Sequence, residues 1–403
     1  MTADAPPEPA SVRFTPEEVE RAWVGRAKKR YGGTPGQSLA RLAPAAGALS
    51  DLFTVDRPAA FEAYAENEEA RLAYGVFFAP QTWVRTRFPL VEAITWRGWR
   101  RGKASAMRML DLGAGLGSAG LSAAQLLRAR GLASAVHVVA VDRSRESLAD
   151  LRSTVALAPE SMAGLSVETV EDDLVAWGKK PAASQAPFDL AIASFSVNEA
   201  FAGRPDEEVV AWMTDVLGLL GEDGLLLVVE PAQRAPSERL RTLAASILAS
   251  GAGHLWGPDL APTLAPPEPL GRFWDHEVRR WTAPKSVVAV NAVLRRSLRV
   301  LTFSYVLLGR RAPTVLDPTP TIFRLTSPIG RTHGRREWTG ITSAGTRASY
   351  DLLERHLDDD AELFLKGLER GDVLRTRSAN PHQVPDRFRV ASAMDLELLH
   401  HPE

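Results

Sequence analysis

Ten residues constrain this chain more than any others: Met109-Leu-Asp111-Leu-Gly113-Ala-Gly115-Leu-Gly117-Ser118. An apolar strand-like run turns through three alternating glycines into the helical pattern Ala119–Arg130. Glycine tolerates positive φ and lets another molecule approach the main chain where a Cβ would otherwise stand. The helix that follows presents its unbonded N–H groups toward whatever the loop holds. Strand, glycine loop and helix in this order belong to a doubly wound α/β sheet, whose ligands sit beyond the carboxyl ends of its strands.

The surrounding pattern agrees. Strand-like runs at Met107–Leu112, Val136–Asp142, Ser166–Val170, Phe188–Ser194, Gly224–Glu230 and Phe303–Gly309 predict an α/β sheet, with helical runs separating the first five. Before it, residues 1–105 read as a helical N-terminal region. Thr15 is the expected N-cap of a helix beginning at Pro16, Phe61–Leu72 is a second helical pattern, and Ala73–Trp99 is an aromatic-rich third. The α/β domain is expected over 106–310. Pro313–Pro320 reads as a linker, and 311–403 as a small mixed extension with strands near Thr321–Thr326 and Arg336–Thr342 and a turn into a strand at Leu368–Leu374.

Acids stand at the predicted strand ends. Asp111 precedes the first glycine by two residues, Asp142 closes Val138-Val-Ala-Val-Asp142, and Asp173, with Asp172 as its rival, closes Val170-Glu-Asp-Asp-Leu174. Carboxylates accept hydrogen bonds and donate none. The series resembles that of proteins binding the cationic sulfonium cofactor S-adenosylmethionine, and the resemblance implies Asp111 toward its amino-acid portion, Asp142 toward the ribose hydroxyls and Asp173 toward the adenine amino group. The loop, with Gly113, Gly115 and Gly117, resembles motif I of class I S-adenosylmethionine-dependent methyltransferases. Gly115-Leu-Gly-Ser-Ala-Gly120 also fits a dinucleotide fingerprint. The early acid, the long helical lead-in and the downstream acids favour the methyltransferase.

After the fourth strand comes Ala193-Ser-Phe-Ser-Val-Asn-Glu-Ala200. Ser194 could touch the cofactor, or serve as a turn serine. Asn198 and Glu199 are expected near the transferred methyl group, or as caps of the following helix. An Asn/Asp-Pro-Pro-aromatic tetrad, the usual mark of enzymes methylating exocyclic base amines, is missing.

The chain has no cysteine, which excludes disulfides, thiolate metal sites and cysteine nucleophiles, and a metal-free protein is expected. No apolar run is long enough to span a bilayer, and the acidic, Pro-rich Met1–Pro9 is unlike a secretory or transit leader, so no membrane association and a cytoplasmic location are expected. His400 and His401 read as a solvated tail. Net charge is −1, yet Gly271–Arg347 carries 14 Lys and Arg against 4 Asp and Glu. That segment predicts a polyanion partner such as RNA, or a basic face balanced by acids elsewhere. Arg295 and Arg299 would share one helix face, and Arg335 and Arg336 would flank an exposed turn at Gly334.

A narrower resemblance runs from Tyr74 to Arg310. Tyr74-Gly-Val-Phe-Phe-Ala-Pro-Gln-Thr-Trp, the glycine loop, Leu227-Val-Val-Glu-Pro231, Arg239-Leu-Arg241, Gly253-His-Leu-Trp-Gly-Pro258, Phe273-Trp-Asp-His276 with Arg279, and Phe303-Ser-Tyr-Val-Leu-Leu-Gly-Arg310 follow one another. In this order they resemble the Rsm-type mitoribosomal small-subunit family of methyltransferase-like proteins, which has bacterial members. The resemblance implies a Rossmann-like class I methyltransferase sheet tied to small-subunit ribosomal RNA, in modification or assembly. It also implies a cysteine cluster holding iron–sulfur, for which this chain has no ligand. Pro258-Asp-Leu-Ala-Pro-Thr-Leu-Ala-Pro-Pro stands in the equivalent stretch, where proline rigidity is expected to replace the metal clamp. Two alternatives remain: a small-molecule methyltransferase lidded by its N-terminal helices, and a non-catalytic RNA-binding assembly factor.

Overall fold

A computed structural model describes residues 12–54, 64–99, 104–177, 187–268, 273–314, 316–382 and 384–402. The chain forms two compact units: Met1–Leu90, Arg100–Val229 and Trp281–Arg299 in the first, Val91–Trp99, Glu230–Arg280 and Val300–Glu403 in the second.

In the first unit the helical region comprises α1 (Glu17–Tyr31), α2 (Pro35–Thr54), α3 (Glu68–Ala73), a π-helical turn over Tyr74–Phe78, and the start of α4 (Ala79–Thr95). Val19, Ala22, Trp23 and Ala27 recur at helical spacing along α1 and are its buried face. Thr15 does not cap α1. Pro16 is the cap residue and makes no side-chain bond, while the Thr15 hydroxyl is buried and donates to Pro80 O. Helix α2 escapes the sequence pattern because Pro44 lies inside it. The Phe61–Leu72 pattern resolves into a short 3-10 turn at Tyr64–Glu66 and α3, and residues 61–63 lie outside the described residues.

The α/β core follows as β1 (Ala104–Leu112), α5 (Ser118–Ala129), β2 (Ala133–Asp142), α6 (Arg145–Leu157), β3 (Leu165–Glu171), α7 (Leu174–Trp177), β4 (Phe188–Ser194), α8 (Val197–Ala200), α9 (Asp206–Gly218) and β5 (Leu220–Glu230). Its strands run parallel in the order β3-β2-β1-β4-β5. This is a Rossmann-like α/β sheet preceded by a helical N-terminal region, and each predicted strand of the core is present. The central strands carry unbroken apolar stretches, as burial on both faces requires: Leu190–Ala193 and Leu225–Val229 are fully buried. The helical region is fastened onto this core by polar contacts. Arg87 Nε donates to Ser122 Oγ of α5, and Ser122 Oγ donates to Trp83 O. Arg26 and Arg71 both grip Asp150 of α6 at 3.1 and 2.8 Å.

The second unit contains β6 (His254–Gly257) and β7 (Glu277–Arg280), each antiparallel to β8 (Val300–Gly309). It also holds a sheet ordered β14-β15-β12-β11-β9-β13-β16, with β10 on β11. These strands span Ile322–Leu325 (β9), Gly330–Thr332 (β10), Arg335–Thr342 (β11), Arg347–Leu353 (β12), Val373–Thr376 (β13), Asn380–Pro381 (β14), Arg387–Arg389 (β15) and Leu396–His400 (β16). Phe323, Tyr350 and Trp338 stack through its core. His333 and Gly334 both take positive φ and close the β10–β11 hairpin, as a two-residue turn of this twist demands. The terminal histidines are not a solvated tail. His400 is buried against Trp96, and His401 bonds Asp372 at 2.9 Å, because β16 pairs with β13 and carries them into the unit. Among the described residues, no helix is long and apolar enough to cross a membrane.

Candidate functional site

Parallel register brings the sequence-predicted residues to one edge of the first unit's sheet. Leu112 pairs with Val141 on one side and Ala193 on the other, so Asp142 and Ser194 flank the glycine loop one residue further on. Gly113, Gly115 and Gly117 all take positive φ, at 72°, 52° and 78°. They are not equivalent. A Cβ on Gly113 would stand 2.3 Å from Ser196 Cβ, and one on Gly117 2.5 Å from Leu151 Cγ. At Gly115 a Cβ would meet nothing within 4 Å. The outer glycines serve packing, and Gly115 is where the loop's main chain is open to approach.

The acids are tied to this loop. One Asp142 oxygen accepts Gly115 N–H and the other Ser144 N–H, each at 2.8 Å, and the Ser144 hydroxyl in turn caps α6. Asp111 is buried beneath the loop and accepts Gly120 N–H at 2.9 Å. Burial pushes the Asp111 carboxyl up to about 7; the Gly120 bond works against this and nearby Asp142 adds to it. Burial likewise raises Asp142, opposed by its Ser144 and Gly115 bonds. Two carboxylates held in a dry, mutually repelling setting favour a cation beside them.

The Asp173 carboxylate accepts Val175 N–H at 2.7 Å, at the start of α7. The Ser194 hydroxyl is buried and has no hydrogen-bond partner among the described residues. Asn198 and Glu199 lie within α8 itself and are half-buried, so neither caps a following helix.

Sequence reasoning offered the N-terminal helices as a lid in one alternative, but missed the side chains they bring to the wall of the site. Tyr74 opens the π-helical turn, a distortion that redirects side chains and recurs at functional sites. Burial raises its hydroxyl to about 12; a Thr82 hydrogen bond and Arg85 lower it, while Glu199 and Asp142 add to the rise. The charges of Arg85, Glu199 and Asp142 are thus near enough to act on the Tyr74 hydroxyl. The Arg85 guanidinium lies 5.3 Å over the Phe195 ring. Phe195 itself has φ +60°, a conformation costing a bulky residue about 1–2 kcal/mol. Its N–H is held by Val229 O at 2.7 Å, and the neighbouring Ser196 hydroxyl by Leu112 O at 2.8 Å. The only signal for this wall in the sequence was the aromatic density of Tyr74–Phe78.

In the second unit much of the basic segment meets acids. Arg279 bonds Asp372 and Glu277, and Arg324 bonds Glu92 and Glu277. Arg336 reaches both Glu362 oxygens at 2.8 Å, Arg331 pairs with Glu354, and Arg347 with Asp275. In the first unit, Arg295 and Arg299 do not share a helix face. The helix Lys285–Val293 ends beforehand, and Arg295, at φ +52°, closes it in a Schellman pattern in which Arg296 N–H reaches Asn291 O. Lys285, Arg295 and Arg299 are exposed and have no ion-pair partner among the described residues.

The Pro258–Pro267 loop is not held by prolines alone. Buried Asp259 takes a two-pronged bond from Arg241 at 3.0 and 2.9 Å and accepts Ala265 N–H at 2.7 Å, while Arg241 also donates to Ala265 O. Without a cysteine the chain cannot hold the cluster its resemblance implies, and an ionic clamp closes the loop instead. Among the described residues, no group of three or more His, Asp or Glu is arranged to bind a metal.

No family model and no curated protein matches the chain. Among solved structures it is similar to an S-adenosylmethionine-dependent methyltransferase from Agrobacterium tumefaciens: 14% identity over 58% of this chain and 63% of that one, TM-score 0.36. Precorrin-6y C5,15-methyltransferase from Geobacter metallireducens GS-15 is similar at 13% identity over 55% and 88%, TM-score 0.31. An rRNA methylase from Streptococcus thermophilus is similar at 13% over 51% and 87%, TM-score 0.26. The chain thus spans just under two thirds of the first. At these scores the likenesses do not bear on activity; the strand order and glycine loop of this chain define its Rossmann-like sheet.

Proposed function

We propose that this protein is an S-adenosylmethionine-dependent methyltransferase acting on RNA of the small ribosomal subunit. The observation that carries the cofactor is the sheet edge where Gly115 stands open between Asp142 and Ser194, above buried Asp111. These residues fit the group: an open glycine for close approach, a buried hydroxyl without a partner among the described residues, and two carboxylates whose raised proton affinity a cation relieves. Asp142 would hold the ribose, Asp111 the amino-acid end, and Asp173 the adenine edge. The cofactor supplies an electrophilic methyl group. Asn198 and Glu199 would orient the acceptor, since the reaction is governed chiefly by positioning in line with the sulfonium.

The RNA acceptor draws support from the resemblance and from outward-facing Lys285, Arg295 and Arg299. The small-molecule alternative draws its own support from the helical wall at Tyr74 and Arg85, and from the pairing of Arg336 and Arg347 with acids. Filter binding of small-subunit ribosomal RNA across a salt series separates them. The RNA reading expects a log–log slope of about −0.7 per phosphate contact, flattened by up to about 2 units when Lys285, Arg295 and Arg299 become Ala. Salt-insensitive binding, or none, would refute it and leave the small acceptor.

A further inference from the structure

We propose that Arg85 is an anion anchor in the acceptor pocket: the acceptor carries a phosphate or carboxylate that the guanidinium engages, with the adjoining part of the acceptor lying against Phe195. The inference deepens the reading of the glycine loop as a methyl-donor site, and rests on it for the word acceptor.

Arg85 lacks what three buried arginines of the second unit have. In the second unit, Arg241, Arg279 and Arg324 each face two or three carboxylates. Arg85 donates to one neutral group, Gln81 Oε1 at 3.1 Å; among the described residues its buried Nε–H has no partner and no carboxylate lies within ion-pair distance. Stripping water from an arginine without giving it an acid costs the fold free energy, and an anionic ligand on the guanidinium would recover it. Burial lowers its proton affinity to about 10, which still leaves it charged at neutral pH.

Its place is as telling as its isolation. Phe195, directly after β4 and beside the glycine loop, is held at a positive φ that presents its ring under the guanidinium. An aromatic face topped by a planar cation suits a flat acceptor bearing an anionic group, because the fork-shaped guanidinium binds two oxygens of a carboxylate or phosphate at once. Tyr74, whose hydroxyl feels Arg85, Glu199 and Asp142 together, links this corner to the end of β2. The π-helical turn at Tyr74 and the strain at Phe195 are two local departures from regular backbone that converge on one guanidinium.

The test uses full-length protein saturated with S-adenosylhomocysteine, titrated calorimetrically with benzoate and with its neutral isostere benzamide. Benzoate should bind about tenfold to a hundredfold more tightly, the range of a charge-assisted hydrogen bond. Arg85→Gln should bring the ratio to about one, and Arg85→Lys should keep most of it. Equal binding of the two probes to wild type, no binding of either, or a preference that survives Arg85→Gln overturns the anchor. S-adenosylhomocysteine affinity unchanged in both variants reports an intact cofactor site. If S-adenosylhomocysteine itself fails to bind, the methyl-donor reading falls, while the benzoate ratio still decides whether Arg85 binds anions. Uridine 5′-monophosphate and decauridylate distinguish the sources. Comparable affinities indicate a free small acceptor; an oligonucleotide bound at least about tenfold more tightly, with that gain lost in Arg85→Gln, indicates an RNA strand.

Discussion

At Asp111 a carboxyl group is held where its charged form is penalised. Its proton affinity in the folded chain lies near pH 7, against about 3.9 unfolded. A folded value above the unfolded one means that protonation favours the fold. The stabilisation is complete below about pH 4 and is lost as pH climbs toward 7. Asp111→Asn keeps an oxygen for Gly120 N–H and removes the titration. Urea unfolding should show wild type losing stability between pH 4.5 and pH 8 relative to the variant, on the order of 1–4 kcal/mol. Parallel profiles would mean that Asp111 is ionised throughout. The position of Asp111, Asp142 and Ser194 beside the glycine loop was legible from sequence because strand ends are marked by composition. The isolation of Arg85 from acids among the described residues was not, since only the folded chain reveals which charges go unmatched.

The glycine loop assigns different work to residues that look alike in sequence. Gly113 and Gly117 press against Ser196 and Leu151, whereas Gly115 faces open space. Gly117→Ala therefore adds a collision to an unfavourable φ and should lower stability by roughly 2–4 kcal/mol, measured by thermal or denaturant unfolding. Gly115→Ala should cost only about 1–2 kcal/mol, yet weaken S-adenosylhomocysteine binding at least about tenfold because the methyl group stands where the ligand approaches. Equal losses of stability in the two variants would contradict this division. The same limit applies to the other elements. Periodicity located β1 to β5 within a few residues: two-sided burial writes an apolar run into β4 and β5, while the edge strand β3 shows only alternation. Helix α2 stayed hidden behind Pro44, and the end of the helix before Arg295 behind a left-handed arginine where glycine is usual.

For the whole molecule, the net excess of arginine in Gly271–Arg347 proved a poor guide to free charge. Much of it is matched by Glu354, Glu362, Glu369 and Asp372, which follow the segment in sequence and fold back against it. Charge counted along a chain registers such pairing only after folding brings distant residues together. The loop clamp of Arg241 and Asp259 is equally non-local, joining residues 18 positions apart where the sequence suggested stiffening by proline alone. All of this depends on the first unit holding a sulfonium nucleoside, and calorimetric titration of the full chain tests that most directly. The account predicts S-adenosylmethionine binding at one site per chain, weakened in Asp142→Ala by about 1.5–3 kcal/mol, with no competition from NAD. Binding of NAD in its place, or an affinity for S-adenosylmethionine indifferent to Asp142, would contradict it.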